Sequence, residues 1–122
     1  MEDECELNID RIKTLEYGIL DLDRAIDEKT QLIDELYDVV YIVVETAYDY
    51  AKANGDDAII KQLSNEKKRS IEVKNRLSVI KEYVEAVASL SILEDEKREA
   101  EIELNADRRQ FIREYCQNKM QI

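Results

Sequence analysis

The apolar residues in the first half of this chain follow a heptad spacing. Counting back from Val43 in alternating steps of three and four residues meets an apolar side chain at every step except Lys29. Side chains of a strand alternate with a period of two, so this spacing indicates a helix that packs along one seam. It predicts one long helix over about residues 7–53. The seam positions on this helix are Ile12, Leu15, Ile19, Leu22, Ile26, Ile33, Leu36, Val40 and Val43.

A turn and a second helix are predicted to follow. Residues 54–57 read Asn-Gly-Asp-Asp, which combines a pair suited to a left-handed helix end with two candidate N-caps. The second helix is predicted over about residues 58–116. Between Val87 and Leu93 the seam twice advances by three residues, which predicts overwinding or a break near residue 90. The seam positions on the second helix are Leu77, Ile80, Val84, Leu90, Leu93 and Leu104.

Two long helices joined by a short turn pack antiparallel. The predicted fold class is therefore all-α, a long two-helix coiled-coil hairpin in one domain over residues 1–122. With the turn centred on residues 55–57, the numbers of facing residues add up to about 112. This register sets Leu77 opposite Leu36 and Leu93 opposite Ile19, apolar against apolar.

The segment over residues 36–51 is the most apolar part of the chain, and it faces the polar segment over residues 61–76 in this register. One neighbouring helix covers one apolar stripe, but this segment carries a second stripe beside the seam. Tyrosine is favoured at protein interfaces, and an uncovered apolar patch marks one. The second stripe is therefore predicted to be a protein interface, covered by another copy in a helical bundle or by a client helix. Its residues are Tyr37, Tyr41, Val44 and Tyr48.

The charges are divided unequally between the two predicted helices. The chain has 18 basic and 29 acidic residues, a net charge of −11. Residues 1–57 hold 5 basic and 17 acidic residues, whereas residues 58–122 hold 13 and 12. This division favours the hairpin over pairing of two acidic first helices. No nucleic acid partner is expected, because the basic run over residues 67–69 lies in an acidic molecule that phosphates would repel.

The sequence contains few residues that could support catalysis or metal binding. The chain has no His, which excludes a histidine base and a histidine-ligated metal. It also lacks a nucleophile–base pair and a glycine-rich phosphate loop, so no enzyme activity, cofactor or small-molecule substrate is expected. The acidic clusters are interpreted as solvated helix faces. They are Asp21, Asp23 and Asp27; Asp34, Glu35 and Asp38; and Glu94, Asp95 and Glu96.

The chain opens MEDECELNID, which is acidic where a signal peptide is basic and apolar, and its most apolar segment is too short and too acidic to span a membrane. A cytoplasmic protein without membrane insertion is expected, with uncleaved export left open. Cys5 and Cys116 are interpreted as ordinary thiols, with a terminal clamp or an inter-subunit disulfide as the alternative. In the predicted register they are about nine residues, or roughly 13 Å, out of step for an intramolecular disulfide.

The segment over residues 17–21, Tyr-Gly-Ile-Leu-Asp, has the Tyr-x-x-x-Asp spacing associated with export by type VII secretion systems. A small acidic helical hairpin also resembles the helical partners that accompany toxins in those systems. The Trp-x-Gly turn of their main family is absent, since the chain has no Trp. The resemblance implies a small acidic accessory protein. A phage-encoded inhibitor that acts through its acidic face is a related hypothesis.

Three function classes follow from the sequence. The first is a non-enzymatic protein–protein interaction module that forms a dimer or binds a helical client, as an adaptor or chaperone-like partner does. The second is the acidic secretion accessory or phage inhibitor. The third is a coiled-coil spacer. The apolar stripe beside the seam favours the first, because a spacer has no use for it.

Overall fold

The computed structural model describes the backbone of residues 4–120 and the side chains of residues 8–115. This part of the chain contains four helices and no strand, which confirms the all-α fold class. The helices are α1 (Glu4–Asn54), α2 (Asp57–Gln62), α3 (Glu66–Leu77) and α4 (Lys81–Met120). The chain forms two compact units, which we call the terminal unit (residues 1–27 and 91–122) and the central unit (residues 28–90). Among the described residues, no helix has the length and apolar character needed to cross a bilayer.

The end of α1 lies where the turn signal predicts it. Gly55 has a φ of +67°, a left-handed conformation that glycine adopts without a steric penalty. The amide N–H of Asp56 donates to the carbonyl of Ala51 at 3.0 Å, which is the long hydrogen bond of a Schellman helix end. The side chain of Asp56 then accepts from the amide of Ile59 and caps α2.

The prediction of one continuous second helix is wrong, because residues 57–120 form three helices. Asn65 caps α3 by accepting from the amide of Lys68 at 2.8 Å, so the chain restarts a helix there. After α3, the hydroxyl of Ser78 donates to the carbonyl of Asn75 at 2.6 Å and competes with continued helix pairing. The break predicted near residue 90 is absent, since α4 runs through it; the break lies at residues 78–80 instead.

In the terminal unit, α1 and α4 pack antiparallel, as predicted. Four side-chain contacts set their register: Asn8 to Glu114 at 2.9 Å, Arg11 to Asp107 at 2.7 Å, Glu16 to Arg108 at 2.8 Å and Asp23 to Lys97 at 2.5 Å. The residue numbers of these pairs add up to 118–124 rather than about 112, so the predicted register is displaced by about nine residues, or two and a half helical turns. The breaks before and after α3 explain the displacement, because residues there do not advance along a single helix axis.

The terminal unit is a thin two-helix layer. Leu104 is the one side chain of its described part that is fully buried. The other predicted seam residues of this unit are half-buried, because two helices leave both edges of their seam open to solvent. They are Ile12, Leu15, Ile19, Leu22, Ile26 and Leu93.

The core of the central unit is deeper, because α3 and the segments beside it pack on the second half of α1. Its buried residues are Val40, Val44, Leu63, Val73 and Leu77. Four half-buried residues pack against this cluster: Leu36, Tyr48, Ile80 and Tyr83. The predicted seam residues Ile33 and Leu90 are also half-buried.

The heptad pattern assigned two adjacent valines the wrong way round. Val44, predicted at the interface, is 0% exposed, whereas Val43, predicted in the seam, is 46% exposed. The residues of α1 that pack in this cluster are Leu36, Val40, Val44 and Tyr48, which are four residues apart. This part of α1 is covered by α3, by Tyr83 of α4 and by the segments beside α3, rather than by one continuous helix. The seam position Val84 is likewise exposed, at 48%.

Alanine substitutions at these adjacent valines test the corrected core. Val44→Ala removes two fully buried methyl groups and is expected to lower the free energy of unfolding by about 2 kcal/mol. Val43→Ala is expected to change it by less than about 0.5 kcal/mol, because the side chain is half exposed and alanine favours helix. Urea unfolding of dilute protein, followed by circular dichroism, measures both. A larger loss of unfolding free energy for Val43→Ala than for Val44→Ala would contradict this core and support the heptad assignment, with Val43 in the seam.

Candidate functional site

Of the tyrosines predicted at the interface, Tyr48 packs against the core and lies under Arg69 of α3, whereas Tyr37 and Tyr41 are partly exposed. The rings of Tyr37 and Tyr41 stack with their centroids 6.3 Å apart, and both are about one-third exposed. Tyr48 is half-buried against the core. Two cations lie over its ring, Lys52 Nζ at 4.3 Å and the guanidinium of Arg69 at 4.8 Å.

Arg69 joins α3 to α1 in this region. Its Nε donates to Glu45 Oε1 at 2.9 Å, and its Nη1 donates to the carbonyl of Leu63 at 2.9 Å. The Glu45 carboxylate also raises the pKa of Tyr41, through its negative charge first, with partial burial and a hydrogen bond to the phenol adding to the effect. These contacts are internal to the central unit, so they tie the aromatic flank to the fold.

The predicted interface is therefore only partly at the surface. Val44 is buried in the core, and Tyr48 is held between the core and two cations. Tyr37 and Tyr41 keep an exposed edge. The four residues do not form a continuous uncovered stripe. The predicted register sets the segment that forms α3 opposite this part of α1, but over the seam and not over Val44 and Tyr48.

A group of uncovered apolar side chains lies on the other side of the same helix. Val39 is 60% exposed, Ile42 62%, Val43 46% and Tyr50 71%. At 100° per residue these four positions lie on the side of α1 away from Val44, so packing of α3 turns them to solvent. We call this surface the outer α1 face. The spacing of Val39, Val43 and Tyr50 is heptad-like, and it is the signal that could have identified this face.

Carboxylates flank the outer α1 face. Glu35, Asp38 and Asp49 are exposed, and residues 30–51 contain no Lys or Arg. Among the described side chains, Asp38 and Asp49 take part in none of the ion pairs, in contrast to Glu45, which is bound by Arg69. The face is therefore both apolar and negatively charged.

A positively charged counterpart lies on the solvent side of α3. Ile71 is 49% exposed, and Lys67 and Lys74 lie about one turn before and after it. Neither lysine forms an ion pair among the described residues, whereas Arg69 and Arg76 are paired with Glu45 and Glu72. We call Lys67, Ile71 and Lys74 the basic α3 face.

Several candidate residues in the terminal unit have partners within the chain. Lys97 Nζ lies 2.5 Å from Asp23, and the hydrogen bond to this carboxylate raises the pKa of Lys97 although burial lowers it. Asp23 is thus not free to act in an acidic binding face, whereas Asp21 and Asp27 are exposed. Tyr17, of the Tyr-x-x-x-Asp spacing, is also exposed.

An apolar groove lies near one end of the terminal unit. Its apolar lining consists of Ile9, Ile12, Phe111 and Ile112. Glu16 and Arg108, which pair with each other at 2.8 Å, border it. Cys5 and Cys116 belong to the same unit, but their side chains lie outside the described residues.

Within the described residues, no three Cys, Asp or Glu side chains converge as a metal site requires. Comparisons with protein-family models, with curated proteins and with solved structures find no match to this chain. The candidate site therefore depends on the geometry and charge of the outer α1 face and the basic α3 face.

Substitution of Arg69 tests whether its contacts hold α3 on α1. Arg69 is 19% exposed at its side chain, so Arg69→Met, which keeps helix propensity, is expected to lower the free energy of unfolding by about 1–3 kcal/mol. The matched control is Arg98→Met, whose side chain is 69% exposed and pairs only with Asp95; it is expected to cost less than about 0.5 kcal/mol. Urea unfolding measures the stability of both variants. Equal effects of the two substitutions would show that the Arg69 contacts do not hold α3 on α1.

Proposed function

We propose that this chain is a non-enzymatic protein–protein interaction module that binds a helical partner on the outer α1 face. The partner that we propose is a second copy of the same chain. The observation that carries the proposal is the exposure of four large apolar side chains on one side of α1, opposite the core residue Val44. Contiguous apolar surface on a small folded domain is typical of an interface.

The apolar side chains alone support weak binding. Full burial of one large apolar side chain gives about 1.5–3 kcal/mol, and these four are already partly covered. Association costs at least about 4 kcal/mol in lost translational and rotational freedom. A stable complex therefore needs a partner surface that complements the flanking carboxylates as well as the apolar residues.

An adaptor or chaperone-like role would use the same face. A client helix with an apolar stripe would occupy the surface that self-association covers, so client binding and self-association would compete. Enzymatic activity is not part of the proposal.

Two aspartates placed in the outer α1 face test the proposal. Val39→Asp with Val43→Asp is expected to abolish self-association, because two carboxylates would lose their hydration at positions where the interface requires apolar contact. Light scattering coupled to size-exclusion chromatography, over a concentration series under reducing conditions, measures the molar mass. The wild type is expected to form an oligomer, and the double variant a folded monomer of 14.3 kDa.

The matched control is Ile92→Asp with Ile102→Asp, two equally exposed positions of α4. This variant is expected to assemble as the wild type does. Loss of assembly in the control alone would move the interface to α4. A wild type that stays monomeric at every concentration would contradict self-association.

A further inference from the structure

We infer that self-association, the function proposed above, joins the outer α1 face of one copy to the basic α3 face of another. The inference rests on that proposed function and specifies its partner surface. The two faces belong to the same central unit. Each has exposed apolar side chains, and the charges of the two faces are opposite.

The acidic side of this contact has more carboxylates than cations. The stretch over residues 30–51 has five carboxylates and no cation. Of these five carboxylates, Arg69 binds only that of Glu45. Asp38 and Asp49 are exposed and border the apolar residues. Asp38 lies one turn before Ile42 and Asp49 two turns after it on the same side of α1, so a partner that buries Ile42 comes close to both carboxylates.

The basic side supplies two exposed cations around one apolar residue. Lys67 and Lys74 lie roughly 10 Å apart along the axis of α3, on either side of Ile71. Asp38 and Asp49 lie roughly 16 Å apart along α1, a separation that the long lysine side chains can span. Ile71 then packs between side chains of the outer α1 face, as a knob packs into a helix groove.

Pairing of two outer α1 faces is disfavoured by the same charges. It would bring Glu35, Asp38 and Asp49 of both copies together, with no cation within residues 30–51 of either. Like charges across an interface weaken the complex. Pairing of unlike faces avoids this. Because the two faces lie on opposite sides of the α1–α3 pair, the contact is head-to-tail and can repeat from copy to copy.

A charge exchange between the two faces tests the inference. The first variant carries Asp38→Lys with Asp49→Lys, and the second carries Lys67→Glu with Lys74→Glu. Each variant alone would set like charges against each other, so its dissociation constant is expected to rise about tenfold or more. An equimolar mixture restores opposite charges at both contacts and is expected to recover the wild-type molar mass by light scattering.

The salt dependence of self-association by the wild-type protein gives a second test of the inference. Complementary faces predict that the wild-type assembly weakens as ionic strength rises, because salt screens the attraction. An apolar contact between two acidic molecules predicts the opposite sign, since salt then screens a repulsion. The control for net charge is Glu94→Lys with Glu99→Lys, which makes the same charge change on α4 and is expected to leave assembly intact.

The failure of this inference is distinguishable from the failure of the proposed function. A wild type that assembles, with variants that assemble equally well or a mixture that does not recover, would overturn the α1–α3 contact and leave self-association standing. A monomeric wild type would overturn both. All substituted positions are exposed, and circular dichroism of each variant confirms that it is folded.

Discussion

The packing of α3 against the second half of α1 is the interaction on which the rest of the central unit depends. Val44 and Val73 are 0% exposed and Leu77 is 1% exposed, so the deepest point of the described structure is this contact between two helices. It closes because the chain ends α1 at a left-handed Gly55 and restarts a helix at the Asn65 cap. Arg69 then adds hydrogen bonds to Glu45 and to the carbonyl of Leu63.

This contact also decides which side of α1 remains uncovered. Residues 39–44 are apolar at every position, so any helix packed on this segment leaves an apolar side exposed. Since α3 covers Val40 and Val44, the exposed side consists of Val39, Ile42 and Val43. The same contact uses Arg69 and leaves Lys67 and Lys74 on the solvent side of α3. The proposed self-association follows from this division of apolar and charged side chains.

The fold class and the extent of α1 are predictable from the sequence, because the seam spacing persists for over four heptads and the Asn-Gly pair is a strong helix end. The break after α3 has no sequence signal, because residues 78–80 contain neither glycine nor proline. The Asn65 cap is hidden because the surrounding polar residues are all compatible with helix. The sequence does not distinguish Val43 from Val44 as the core residue, since an apolar segment fits either assignment until the position of α3 is known.

The central claim is that the outer α1 face is uncovered in the folded chain and becomes covered by self-association. Methyl NMR of valine-labelled protein with a soluble paramagnetic probe tests it most directly. The account predicts that the methyl groups of Val44 are shielded from the probe at every protein concentration. Those of Val39 and Val43 should be relaxed by the probe in dilute solution and shielded in concentrated solution. Equal relaxation of Val39 and Val43 at all concentrations would contradict the claim.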